Sequence, residues 1–212
     1  MAHPDYIRQK AIDLRVDKKL TIDEIAECLA VSRTTVFYWV QDLEIPQTKK
    51  QSAARQRASD ANRDKAQAKR EAAYAEGVQM YPELIQEPTF RDFVCMYIGE
   101  GTKKGRHTVA ICNSDPAVVK LGQAWITRFS RNPVTYSIQY HADQSLDELR
   151  DYWSAYLRIE PVQVLFQRKS NSGRLASRNW RSKYGVLTVR TSDTYFKCRL
   201  MSWLDLVKAE WQ

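Results

Sequence analysis

The sequence is poor in the residues that build metal centres and nucleophilic triads, with four cysteines and three histidines in 212 residues. Cys28, Cys95, Cys112 and Cys198 are scattered, form no CxxC pair and have no histidine at a metal-ligand spacing, so buried free thiols are expected. His3, His107 and His141 form no cluster suited to zinc or to activating a nucleophile, which argues against triad hydrolysis. Long apolar runs are missing as well. Nowhere do eighteen apolar residues follow one another, and the opening MAHPDYIRQK holds no apolar stretch of the signal-peptide type. A soluble, intracellular protein with no membrane partner is the expectation. Finally, acid is missing from QRKSNSGRLASRNWRSKYG, residues 167 to 185, which carries Arg168, Lys169, Arg174, Arg178, Arg181 and Lys183. Such a loop is a candidate for phosphate binding, with Trp180 as its anchor.

What is present is ample core material: 43% hydrophobic residues, with eleven tyrosines, six tryptophans and six phenylalanines. The length suits one large domain or two small ones, and two are expected. The net charge of +8 and pI near 9.3 favour a polyanionic partner. That charge is unevenly placed, with a net of −2 over residues 1 to 46, +4 over 47 to 76 and +6 over 77 to 212.

Residues 1 to 46 read as a three-helix domain. Ile7, Ala11 and Leu14 share one helix face, Thr21-Ile-Asp-Glu24 is a capping box opening a second helix, and Ser32 caps a third whose stripe is Val36, Trp39, Val40 and Leu43. The segment TIDEIAECLAVSRTTVFYWV resembles a helix-turn-helix of bacterial repressors and transposases, through small Ala26 at the helix contact and Val31, Val36 and Trp39 at the wedging positions. It departs from the family at Ala30, where glycine is usual. The resemblance implies a third helix in the major groove, with Ser32 at a phosphate and Arg33, Thr34, Thr35 and Tyr38 toward the bases. A three-helix packing module without DNA contact is the alternative.

Residues 47 to 76 are a basic, alanine-rich connector with no apolar stripe, expected to be a solvated or frayed helix with nothing to dock against. Its cations, Lys49, Lys50, Arg55 and Arg57 among them, either track phosphates or belong to a plain spacer.

Residues 77 to 212 mix helical and strand periods without regular alternation, so the expected class is α+β with a mainly antiparallel sheet. Phe90, Phe93, Val94 and Tyr97 make a helical stripe. Asp115-Pro116 opens a helix with Val118, Leu121, Trp125 and Phe129 inward, and residues 134 to 141 alternate as a half-buried strand. Two strands are expected near 162 to 168 and 184 to 191, and a closing helix with Phe196, Leu200, Trp203, Leu204, Val207 and Trp211 inward. On the polar side of the strands fall Thr135, Ser137, Gln139, His141, Gln163, Gln167, Thr188 and Arg190. These are mostly short hydrogen-bonding side chains suited to base edges, where a merely solvated face would carry more lysine and glutamate.

The helix FVCMYIGEG, with NSDP at 113 to 116 and YW at 152 to 153, resembles the LAGLIDADG homing endonucleases and related DNA-binding regulators over roughly residues 88 to 210. The resemblance implies close packing of two such helices through Cys95 and Gly99, a turn allowed by Gly101, and Glu100 projecting toward DNA. In the family's nucleases the matching carboxylate holds Mg²⁺ between phosphate oxygens. Lys103, Lys104 and Lys169 are candidates for stabilising a phosphorane, Lys169 being the one assigned a catalytic role in a nuclease, and are equally candidates for plain phosphate contact. A structural role for Glu100 is the other reading.

Two functions follow as expectations. One is a transcriptional regulator without cofactor that reads a bipartite double-stranded DNA site, in the cytoplasm of a prokaryote or encoded by a phage. The other is a Mg²⁺-dependent endonuclease acting as a homodimer, since a single motif supplies one carboxylate per chain. A recombination or transposition accessory factor is not separable from the regulator. A monomer would favour an asymmetric site and a homodimer a palindrome.

Overall fold

The structure is a computed structural model and describes residues 3–43, 49–169 and 182–212. The chain is α+β and divides into two compact units, Met1–Asn62 and Arg63–Gln212.

In the first unit, helices α1 (Asp5–Val16), α2 (Ile22–Leu29) and α3 (Arg33–Val40) close on Ala11, Ile25, Val36 and Val40, with Leu14, Ala26, Leu29, Val31, Trp39 and Leu43 packed around them. Helix α2 starts where Thr21 accepts from the Glu24 N–H and the Glu24 carboxylate accepts in return from the Thr21 N–H, at 3.2 and 2.7 Å. That reciprocal pair satisfies two orphan donors. The helix ends at Ala30 in the left-handed region, with φ 51° and ψ 42°. An alanine there tolerates the conformation that glycine adopts freely, at a cost of about 1 kcal/mol.

Helix α4 runs from Lys49 to Leu84. Its residues from 63 onward belong to the second unit, and this half is not a bare spacer. Ala73 is fully buried, and the chain crosses helix α8 (Thr194–Ala209) at Gly77, whose carbonyl accepts from the Trp203 indole at 2.9 Å. Glu76 takes the Tyr195 hydroxyl and the Arg199 guanidinium, and Tyr74 donates to Asp205. The connector looked undockable because its contact surface is made of alanine, glycine and polar tips rather than large apolar residues.

The rest of the second unit is helix α5 (Phe90–Glu100), strand β1 (Thr108–Asn113), helix α6 (Pro116–Phe129), strand β2 (Thr135–Tyr140), helix α7 (Leu146–Leu157), a 3-10 turn (Pro161–Gln163) and strands β3 (Val164–Arg168) and β4 (Val186–Ser192), followed by α8. The strands lie in the order β1-β4-β2-β3. The β1–β4 and β4–β2 pairs are antiparallel, while β2–β3 is parallel, the crossover being α7. Helices cover one side. Val109, Ile111, Tyr136, Ile138, Val164, Leu187 and Val189 meet Phe90, Phe93, Tyr97, Trp125, Trp153, Phe196 and Trp203 in one core.

Several expectations change. Helix α6 buries Val119, Gly122, Trp125, Ile126 and Phe129, leaving Val118 and Leu121 half-buried. Trp211 lies beyond α8 and is exposed. The four thiols are free but none is buried, with Cys28 and Cys112 exposed. No described helix is long and apolar enough to cross a membrane.

Candidate nucleic-acid interface

The first candidate surface is the outer face of α3. Burial of Val36 and Val40 on one side leaves Arg33, Thr34, Phe37 and Tyr38 outward, Tyr38 being 63% exposed. Ser32 caps the helix by accepting from the Thr35 N–H at 3.1 Å, and the Ser32 and Thr35 hydroxyls bond each other at 2.7 Å. Both hydroxyls are thus engaged at the helix start. Arg33 pairs with Asp23 at 2.7 Å, but the partners are both 71% exposed, so releasing the guanidinium costs at most about 1 kcal/mol. Phe37, beside Tyr38, was missed by motif reading, although the period that buries residues 36 and 40 turns it outward.

The second surface is the uncovered face of the sheet. Period-2 alternation places Thr135, Ser137 and Gln139 opposite the buried Tyr136 and Ile138, and register aligns them with neighbours. Thr135 faces Arg190, Ser137 lies between Thr188 and Leu165, and Gln139 faces Gln167. Cys112 continues the row beyond Thr188. Exposed Leu165 and Cys112 give this face apolar points that the polar expectation omitted. The Thr135 hydroxyl donates to the Arg190 carbonyl at 3.2 Å, so its oxygen is held in place.

Two residues assigned to this face are elsewhere. His141 follows the end of β2, where alternation stops. It is buried, its backbone N–H donating to the Gln144 amide oxygen at 2.9 Å. Gln163 precedes β3, in the 3-10 turn, and its side chain accepts from the Glu160 N–H at 3.0 Å, serving as a cap. Arg168 shares parity with Val164 and Phe166, opposite Gln167, and sits exposed at the strand end. Lys169 follows it in the chain, exposed, with its backbone N–H donating to the Tyr140 carbonyl, and Lys183 is also exposed. The side chains of Lys49 and Lys50, and Arg174, Arg178, Trp180 and Arg181, lie outside the described residues. Arg55 and Arg57 are exposed on α4 in the first unit.

The third feature is the end of α5. Glu100 is its last residue, exposed and without an ion pair or hydrogen bond to its side chain among the described residues. Gly101 follows in an extended conformation, φ −74°, so a left-handed turn is not its reason. The reason is space, since a Cβ there would fall 2.5 Å from the Tyr97 ring. The Lys103 ammonium donates to the Gly99 carbonyl at 2.8 Å, capping the helix C-terminus with positive charge. Lys104 is exposed beside it. Among the described residues no group of three or more His, Cys, Asp or Glu could hold a cation. Glu100 therefore belongs to no such group within one chain.

Comparison with family models, with curated proteins and with solved structures gives no match for this chain.

Proposed function

We propose that the chain is a sequence-specific double-stranded DNA-binding protein, acting as a transcriptional regulator in which α3 of the first unit and the uncovered sheet face of the second each read a segment of the target. The observation that carries this reading is the sheet face: Thr135, Ser137, Gln139, Gln167, Thr188 and Arg190 brought into aligned rows by strand register, with no described helix over them. Donors and acceptors spaced in this way suit base edges in a major groove, and Arg190 supplies the side chain best suited to guanine. The basic balance of residues 77 to 212 supplies the sequence-independent attraction to phosphate. Linking two readers raises the local concentration of the second once the first has bound, so each needs only modest affinity.

The test is selection of a site from a random duplex pool, followed by fluorescence anisotropy at two or more salt concentrations. Arg190→Gln is expected to weaken the selected site by about tenfold and to relax preference at one base pair. Lys104→Gln is expected to weaken all duplexes alike and to lower the salt slope by roughly one. Absence of salt-dependent affinity for any duplex would overturn the proposal.

Unpartnered Glu100 at the end of α5 favours a second reading, an endonuclease acting as a homodimer with Mg²⁺. Incubation of the selected site with Mg²⁺ and a denaturing gel separates the two. A regulator leaves both strands intact, whereas breaks lost in Glu100→Gln would establish the nuclease.

A further inference from the structure

Behind the α5–β1 loop, the second unit holds a cluster of cations apart from the uncovered sheet face. Arg70 of α4, Lys103 and Arg106 of the loop and Lys197 of α8 line a recess of about 400 Å³, with Cys198 and Met201 on its wall. Lys197 is only 4% exposed. Its ammonium donates to the Thr102 carbonyl at 2.6 Å and to the Tyr97 hydroxyl at 3.2 Å, both neutral acceptors. Those bonds replace lost water, yet they leave the charge uncompensated. Among the described residues no carboxylate pairs with any of the four cations, and Arg70 bonds to the amide oxygen of Gln67.

A buried ammonium beside like charges is costly unless an anion completes it. Burial pushes the Lys197 ammonium below the ordinary lysine value, and neighbouring Lys103 pushes in the same direction. A second cavity of about 280 Å³ shares Arg70 and adds Lys69 and His107. Concavities of this size suit a small molecule, while the backbone of a duplex lies across open surfaces. Arginine forks and a lysine point charge together match the oxygens of phosphate.

We propose that this recess binds the phosphate group of a small phosphorylated ligand, held by Arg70, Lys103, Arg106 and Lys197. The site is separate from the sheet face and does not depend on the DNA-binding reading.

The experiment titrates the full chain with inorganic pyrophosphate by calorimetry at low ionic strength, beside an Arg70→Gln/Arg106→Gln double variant and a Lys208→Gln control. Melting curves establish that each variant folds. Saturable binding of one pyrophosphate per chain is expected, weakened by about tenfold or more in the double variant and unchanged in the control. Weak binding that is equal in all three proteins would overturn the site. If pyrophosphate fails to bind but duplex affinity falls in the double variant and not in the control, the phosphate belongs to nucleic acid and the small-ligand assignment is overturned.

Discussion

Arg128 grips Glu87 with both terminal guanidinium nitrogens, and its planar group lies 4.9 Å from the Trp125 ring. The hydrogen bonds from Arg128, more than its charge at a distance, hold the Glu87 carboxyl below the usual glutamate range. A depressed carboxyl contributes stability that is present above its unfolded pKa and is lost as pH falls through the folded pKa. In Glu87→Gln, melting temperature is therefore expected to fall most at neutral pH and to converge on the parent as the solution is acidified. A gap that stays constant across that range would disprove the linkage. Tyr97 shows the opposite direction, since burial pushes its phenol up to about 12, so it remains a neutral donor to the Thr102 carbonyl throughout the working range.

At the scale of the elements, α4 meets α8 closely at Gly77. A Cβ there would meet the Ser202 hydroxyl at 2.2 Å, which can rotate away, and the Arg199 backbone at 2.9 Å, which cannot. Gly77→Ala gains about 1 kcal/mol of helix propensity. It loses more through forced separation of the helices, for a net destabilisation of roughly 1 to 2 kcal/mol by denaturant melting. Gly99 in α5 is the counterpart. Nothing stands within 4 Å of its would-be Cβ, so Gly99→Ala is expected to stabilise by up to about 1 kcal/mol. If both substitutions shifted stability in the same direction, the packing account of Gly77 would fail.

At the scale of the molecule, the second unit begins well before its first apolar stripe. Glu76 is the acid that meets Arg199, whose side chain is 8% exposed and also donates to the Phe129 carbonyl at 3.1 Å. A fragment starting at Gly77 strands that guanidinium and uncovers α8, while one starting at Arg63 keeps Ala73, Tyr74 and Glu76 in place. The shorter fragment is expected to be less stable by at least about 2 kcal/mol, measured by denaturant unfolding of the two side by side. Equal stability would show that the α4 contacts contribute nothing to the unit.

Local chemistry by itself determined the start and facing of most elements. The Thr21 and Glu24 pair fixes the start of α2, and Asp115-Pro116 that of α6. The Phe90, Phe93, Val94 and Tyr97 spacing fixes the buried side of α5, and alternation fixes β2. These are interactions over four residues or fewer, visible in any single stretch of chain. Tertiary structure alone decided which surfaces are covered and by what. It placed β4 between β1 and β2, made the β2–β3 pair parallel, removed His141 and Gln163 from the sheet face, and buried Lys197 and Arg199 beneath the α5–β1 loop and α4. A period reports which residues share a face. It carries no record of the distant segment that closes over that face, because contacts across more than a hundred residues leave no local pattern.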